Sequence, residues 1–227
     1  MPNAKLLNYL HLHFIVFIWG FTAVLGALIS IDALGLVWFR MSIASLLILA
    51  WVGYKKIPLT FSKKTMLVFF IAGAVIAMHW LAFFGAIKTA NVSITLAIMS
   101  TGSFFTAFLE PIFYKRKIIW YEVVFGLIVV LGLYVIFQVE GDYSWGIVLA
   151  LISSFLGALF SVINGKLAVR YNASAISFYE LFFGVCCISL YLFFSGSFDA
   201  SFFTLSPLDW GYLFILASGC TAYAFIA

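Results

Sequence analysis

The sequence predicts an all-α membrane protein that crosses the bilayer several times. Of its 227 residues, 66% are apolar or aromatic and only 9% are charged, whereas ordinary soluble domains have about 45–50% and about 25%. Apolar runs of about 20 residues, the length a helix needs to cross a bilayer, recur along the whole chain. Soluble enzymes, nucleic-acid-binding proteins and disordered proteins are therefore excluded.

Eight apolar runs are long enough for membrane-spanning helices, and none alternates in the way that a membrane strand would. In order, these spans are 12–31, 33–53, 66–87, 91–114, 118–138, 144–165, 174–194 and 208–227. The first run has no small-residue cleavage site and another run follows almost immediately. We therefore expect an uncleaved helix there rather than a signal peptide.

The loop charges predict the orientation of these spans. With a cytoplasmic N-terminus, ten of the twelve Lys and Arg residues fall in cytoplasmic segments, as the positive-inside rule requires. Lys88 falls at an outer helix end, and the outer loops carry Asp32, Glu140, Asp142, Asp199 and Asp209. One miscounted helix would destroy this alternation, so it supports both the number of spans and the orientation.

A weak internal repeat is present in the chain. Small residues recur every four positions in span one and again in span six, as Thr22, Gly26 and Ser30 and as Gly157, Ser161 and Gly165. Phe39-Arg40 in span two corresponds to Tyr179-Glu180 in span seven. Spans one to three therefore map onto spans six to eight, which predicts an inverted repeat of five helices. The alternative is that these small residues only pack helices together.

This repeat predicts two units. The first covers residues 1–140 with helices one to five, and the second covers residues 141–227 with helices six to eight. The partners of spans four and five are then missing from the second unit, so we expect the sequence to be truncated. Inverted repeats are typical of secondary transporters, in which the substrate binds between the two units near the bilayer midplane.

Several segments resemble the EamA family of the drug/metabolite transporter superfamily. The resemblance rests on the five-plus-five organisation and on three stretches of sequence, Trp19-Gly20-Phe21-Thr22, Phe39-Arg40 and the stretch from Gly85 to Ile118. The resemblance extends over essentially the whole chain. It implies a bacterial inner-membrane carrier with ten helices in the full-length family, commonly an exporter of amino acids or other small metabolites.

The chain also departs from that family. Many members have a proline in the fourth helix where this chain has Ser103, and a glutamate at its end where this chain has Arg116. Glu110-Pro111 is present instead, nearer the cytoplasmic end. A mechanism that depends on the helix-four proline is therefore not carried over.

Two charged residues lie well inside predicted spans, where insertion scales assign about 2.5–3.5 kcal/mol to each. Arg40 and Glu180 are opposite in charge and correspond under the repeat. We expect both to line a cavity between the repeats. Alternatively, each side chain snorkels to its nearer interface. A direct salt bridge needs helix tilt or long side-chain reach, because the predicted depths differ by about 10 Å.

His79, Trp80 and Trp19 are further candidates for the substrate pathway, because they lie away from the predicted interfaces. His79 could bind substrate or exchange a proton, or be a neutral side chain bonded across a helix interface. The tryptophans could form an aromatic wall for an apolar or zwitterionic metabolite, including cation–π contact with an amine. The alternative is that they pack against lipid.

The remaining candidates come from span four and from the repeat. Span four is rich in hydroxyl groups, and its residues Ser100 and Ser103 lie on one stripe that could line the path or pack helices. Thr22 and Tyr179 belong to the corresponding repeat segments. Glu110 is expected in an interfacial pair close to Lys115. Glu122 is expected at the start of span five beside Lys117, and Asn164 is expected to take part in helix packing.

The predicted function is secondary-active transport of small metabolites by alternating access between the two repeats, with protons as a candidate coupling ion. An intramembrane hydrolase would need an activated serine, and no such spacing is recognisable. A non-transporting receptor or channel-like protein is the alternative, although no selectivity filter is visible. The three cysteines, Cys186, Cys187 and Cys220, lie in apolar runs, so neither a metal site nor a cofactor is expected. Substrate, direction and oligomeric state are left open.

Overall fold

The computed structural model describes residues 2–139 and 141–226, which are almost entirely helical and contain no strand. The helices are α1 (Pro2–Leu28), α2 (Ala33–Lys55), α3 (Lys63–Thr89), α4 (Val92–Met99), α5 (Gly102–Tyr114), α6 (Trp120–Val139), α7 (Ser144–Ala168), α8 (Ala173–Ser195), α9 (Pro207–Ala217) and α10 (Ala224–Ile226). A π-helical segment, Ser218–Tyr223, joins α9 to α10. The predicted all-α fold is confirmed.

Six segments of the described chain are long and apolar enough to cross a membrane, and they make this a multi-pass membrane protein. They are Leu6–Leu28, Ala33–Lys55, Lys63–Thr89, Val92–Tyr114, Ser144–Ala168 and Ala173–Ser195. The predicted span at 118–138 corresponds to α6, in which Trp120–Val135 is a shorter apolar helix. The predicted span at 208–227 is not one regular helix, since the π segment interrupts it.

Short polar side chains define where several of these helices begin. Asp32, Ser62, Asn91, Asn172 and Ser206 each accept a hydrogen bond from a backbone N–H in the first turn of the helix that follows. Such caps satisfy N–H groups that have no partner within the helix. The boundaries of α2, α3, α4, α8 and α9 are therefore set locally by the sequence.

The predicted fourth span is broken near its middle, which corrects the expectation of one continuous helix. The amide of Thr101 bonds the carbonyl of Ile98 at 3.0 Å, in a tight turn between α4 and α5. The hydroxyl of Ser100 donates to the carbonyl of Ala97 at 2.6 Å. Serine and threonine hydroxyls compete with the helical ladder for such carbonyls, so this hydroxyl-rich span is interrupted where they cluster.

Helix α3 lies at the centre of the molecule, between α7 and α8, and α2 packs on α8 and α9. Gly73 of α3 and Gly184 of α8 permit this close packing. A Cβ at Gly73 would clash with the backbone carbonyl of Glu180, and one at Gly184 would clash with the Met41 side chain. Small residues at such crossings allow helix backbones to approach in a membrane.

The division into repeats at 1–140 and 141–227 remains a prediction. Helices assigned to the two units are in contact through α2 with α8 and α3 with α7. Glu140, one of the predicted outer acidic residues, lies outside the described residues.

Candidate functional site

A cavity of about 440 Å³ is lined by side chains of α1, α2, α3, α4, α5, α7 and α10. This volume falls within the range of about 300–1,000 Å³ typical of small-molecule sites. Five of the nine predicted pathway residues line it, namely Trp19, Thr22, Arg40, His79 and Trp80. Much of the rest of the wall is apolar or small, including Phe83, Met99, Gly102, Thr106, Gly157, Phe160 and Phe225.

Arg40 is a charged side chain buried in the cavity wall, with only 2% of its surface exposed. Its Nε donates to Oγ1 of Thr221 at 2.7 Å. Its guanidinium carbon lies 4.0 Å from the centroid of the Trp80 ring and 5.5 Å from that of Phe84. The charge is thus held by one neutral hydroxyl and by aromatic faces, which attract cations through their quadrupoles.

Two buried polar atoms on this wall have no hydrogen-bond partner in the part of the chain that the structure describes. They are Nη1 of Arg40 and Oγ1 of Thr22. Buried polar groups in folded proteins are nearly always paired, so an unpaired one needs a specific explanation. Both belong to residues that line the cavity, and a bound molecule is one source of the missing partner.

His79 is fixed by a reciprocal contact with Ser153 of α7. Nδ1 of His79 lies 2.8 Å from the backbone carbonyl oxygen of Ser153 and 3.0 Å from its hydroxyl. The same hydroxyl donates to the carbonyl of His79 at 3.0 Å. A carbonyl oxygen can only accept, so Nδ1 must carry a proton. In neutral imidazole, Nε2 is then left as an acceptor.

Close packing gives His79 its position. A Cβ at Gly157 of α7 would lie 3.0 Å from Cε1 of His79, so the glycine leaves room for the ring. Phe83, one turn along α3, lies with its ring centroid 6.2 Å from that of His79. The histidine therefore combines the two sequence interpretations, since it is bonded across a helix interface and also lines the cavity.

Trp80 is buried, whereas Trp19 is 47% exposed. One face of Trp80 is occupied by Arg40, and its ring centroid lies 5.9 Å from that of Phe225. The expected cation–π surface for a substrate amine is therefore already occupied, at Trp80, by a cation of the protein itself.

The structure places Glu180 away from this cavity and does not pair it with Arg40. Its side chain is 1% exposed, and Oε1 accepts a hydrogen bond from Nδ2 of Asn164 at 3.0 Å. Oε2 has no partner. Neighbouring Tyr179 donates from its hydroxyl to the carbonyl of Leu59 at 2.7 Å, which ties α8 to the segment after α2.

The span-four candidates also lie outside the cavity. Ser100 and Ser103 are exposed, and the Ser103 hydroxyl donates to the carbonyl of Ser100 at 3.1 Å. Ser103 instead lines a second cavity, of about 380 Å³, between α5 and α6. Thr106 and Gly102, from the same hydroxyl-rich region, line the cavity around Arg40 and His79.

An ion-pair cluster bridges α5 and α6 beside that second cavity. Nε of Arg116 lies 3.0 Å from Oε2 of Glu110, and Nη2 of Arg116 lies 2.9 Å from Oε2 of Glu122. These contacts replace the lysine neighbours, Lys115 and Lys117, expected from the sequence. The hydrogen bond to Glu122 is the main reason why the pKa of Arg116 is raised above its ordinary value. Lys115, at φ 53°, turns the chain so that Arg116 reaches both carboxylates.

Sequence reasoning missed three supporting residues: Ser153, Asn164 as the donor to Glu180, and Thr221. Ser153 extends the Gly157, Ser161 stripe by one turn, so the four-residue spacing carried a signal for it. Thr221 depends on the π segment, in which its hydroxyl also donates to the carbonyl of Leu216 at 2.9 Å. No sequence pattern marked that segment.

Groups of three or more potential metal ligands do not occur within the described residues. The cysteines Cys186, Cys187 and Cys220 are all free thiols.

Comparison with known proteins identifies the family. A solved structure entitled "Crystal structure of protein" superposes with a TM-score of 0.69 at 14% identity, covering 94% of this chain and 75% of the other; at that identity the likeness concerns the fold alone. No curated protein matches the sequence. The family model described as "EamA-like transporter family" matches residues 8–138, more than half of the chain. The chain therefore belongs to the EamA family, a membrane transporter family of the drug/metabolite transporter superfamily.

Proposed function

We propose that this protein is a secondary-active exporter of small metabolites such as amino acids, and that the cavity around Arg40 and His79 is its substrate site. The observation that carries the proposal is the composition of the cavity wall. Side chains from α1, α2 and α3, in the first predicted repeat, meet side chains from α7, in the second. A site shared by two inverted repeats is the arrangement that alternating access requires.

The proposed orientation places the N-terminus in the cytoplasm of a bacterial cell, with the protein in the inner membrane. The positions of the basic residues support it. Fusion of a reporter that is active only in the cytoplasm to the loops after α2 and after α3 tests the proposal. Activity is expected only for the loop after α2, and the reverse pattern would contradict it.

Transport is tested in proteoliposomes that contain the full chain and a panel of radiolabelled metabolites. We expect saturable counterflow for at least one metabolite, and loss of that counterflow in His79→Ala. Gly53→Ala is a matched control, because a Cβ there meets no atom within 4 Å. Binding without counterflow in any of these experiments would favour a receptor and refute the transporter.

Proton coupling is the proposed energy source, through Glu180 or His79. His79 is half-buried at a contact between the predicted repeats, where it meets Ser153, and Glu180 is buried with its backbone carbonyl close to Gly73 of the other predicted repeat. Intramembrane carboxylates and histidines commonly relay protons. A pH-sensitive dye inside the vesicles should record proton movement with substrate. Glu180→Gln, which keeps an acceptor for Asn164, should abolish that signal if Glu180 is the coupling group. Transport without any proton flux would refute coupling while leaving the substrate site intact.

A further inference from the structure

The charge of the cavity around Arg40 and His79 differs from what its aromatic lining alone would indicate. Arg40 is the one permanently charged side chain among the described residues that line it, and no aspartate or glutamate is present there. The salt bridges of the described residues involve only Arg116, Glu110 and Glu122. Within the described ranges, Arg40 is thus a buried cation without a carboxylate partner.

Such a charge is expensive to keep in an apolar setting unless an opposite charge and hydrogen-bond acceptors accompany it. Thr221 accepts from Nε at 2.7 Å, but Nη1 has no acceptor among the described residues. A guanidinium presents a planar fork of donors that matches the two oxygens of a carboxylate. The carboxylate of an organic acid would therefore supply the acceptor that Nη1 lacks, and such an acid would approach Arg40 from the cavity.

The same geometry disfavours a cationic ligand. Trp80 would be the natural aromatic platform for an ammonium group, but the guanidinium of Arg40 already lies over its ring at 4.0 Å. A substrate cation would meet like-charge repulsion from Arg40, with no acidic side chain among the described lining residues to offset it. His79 contributes an acceptor at Nε2, which suits a hydroxyl or amide donor on an otherwise acidic molecule.

We propose that this cavity selects small organic acids, with the substrate carboxylate on the guanidinium of Arg40 and an aromatic or aliphatic body against Trp19, Phe160 and Phe225, and that it excludes amines lacking a carboxylate. The assignment rests on the proposed function, because it takes the cavity to be the substrate site. It narrows the proposed substrates to molecules that carry a carboxylate.

Four probes with one aromatic body test the proposal: 3-phenylpropionate, phenylalanine, 2-phenylethanol and phenethylamine. Their affinities for the full chain in nanodiscs are measured by thermal stabilisation and by isothermal titration. Phenylpropionate should bind at least about tenfold more tightly than phenethylamine, the difference expected for a charge-assisted hydrogen bond. Equal or tighter binding of the amine, or absence of binding by both acids, would overturn the proposal.

Arg40→Gln then tests the residue. This substitution should weaken the binding of phenylpropionate by about tenfold or more and leave the affinity for phenylethanol almost unchanged. Arg116→Gln is the matched control, since Arg116 is an arginine outside this cavity, and it should leave all four affinities as they were. An unchanged acid affinity in Arg40→Gln would refute the assignment. The comparison of probes on the unaltered protein needs no variant, so it decides the proposal even where Arg40→Gln does not fold.

Counterflow of the same probes separates this proposal from the transport proposal. Acid binding with no counterflow of any probe would leave the anion site in place and refute transport. Counterflow of phenethylamine but of neither acid would uphold transport and refute the anion site.

Discussion

Asp209, at the start of α9, accepts two hydrogen bonds from Ser30, which lies two residues after the end of α1. The Ser30 amide lies 2.7 Å from Oδ1 and its hydroxyl lies 2.6 Å from Oδ2. The carboxylate also accepts from the hydroxyl of Ser206 at 2.7 Å. A residue predicted only as one of several outer acidic charges thus joins two helices that are far apart in the sequence.

Asp209→Ala should therefore destabilise the protein. It leaves the donors of Ser30 without their partner, and each such loss is typically worth about 1–3 kcal/mol. The measurement is the free energy of unfolding in mixed micelles. Asp199→Ala is the matched control, since Asp199 is exposed and bonds only Ser201 and Phe202 in its own loop. Equal losses in the two variants would contradict the role of Asp209 as a tie between helices.

Gly73→Ala should destabilise the crossing of α3 and α8. The added methyl group meets backbone at Glu180 and the Cβ of Phe183 at 3.1 Å, and overpacking of this kind typically costs about 1–3 kcal/mol. Gly53→Ala is expected to act in the opposite direction, because alanine favours a helix interior over glycine by roughly 0.5–1 kcal/mol and the site is open. Thermal denaturation of the two variants compares them directly; a stable Gly73→Ala protein would mean that the crossing is looser than described.

His79 should carry its proton on Nδ1. The acceptor is the backbone carbonyl of Ser153 at 2.8 Å, so Ser153→Ala, which removes only the hydroxyl, should leave the same tautomer. Nitrogen-15 chemical shifts of labelled histidine measure this, with His79→Asn to assign the signal. A proton on Nε2 in the unaltered protein would contradict the hydrogen-bond geometry and remove the acceptor from the cavity.

Asn164 and Glu180 should be energetically coupled. Their hydrogen bond, 3.0 Å between Nδ2 and Oε1, joins α7 to α8 where the carboxylate is 1% exposed. A double-mutant cycle with Asn164→Ala and Glu180→Ala should give a coupling free energy of about 0.5–3 kcal/mol. Additive losses would indicate that the two side chains are neighbours without a stabilising bond.

The fold class was predictable because the bilayer imposes a composition and a length that leave few alternatives. The starts of several helices are set by the local sequence, as the N-terminal caps at Asp32 and Ser206 illustrate. The break at Ser100 and Thr101 was not predicted, because a hydroxyl can pack between helices or bond the nearest carbonyl, and hydropathy does not distinguish the two. The π segment likewise preserves an apolar span while it changes the geometry.

Most of the cavity-lining candidates on α1 to α3 were predictable from depth in the membrane, since polar side chains such as Arg40 and His79 need protein partners there. Depth did not predict the partners. Glu180 is bonded by Asn164 rather than by Arg40, and Glu110 by Arg116 rather than by Lys115. Those choices depend on how each helix is rotated and on the turn at Lys115, neither of which a one-dimensional pattern records.

Because Ser218–Tyr223 is π-helical, the number of residues in this segment affects which hydrogen bonds its side chains make. A π turn holds one residue more than an α turn, and that additional residue sets the rotation of Thr221, whose hydroxyl accepts from Arg40. Deleting one residue between 218 and 220 removes the additional residue that the π turn accommodates, which favours an ordinary α-helix of similar hydropathy and alters the position of Thr221 relative to Arg40. The support of the buried arginine therefore depends on the number of residues in this segment as well as on their identity, and an insertion or deletion here would alter the cavity even with Arg40 and Thr221 both retained.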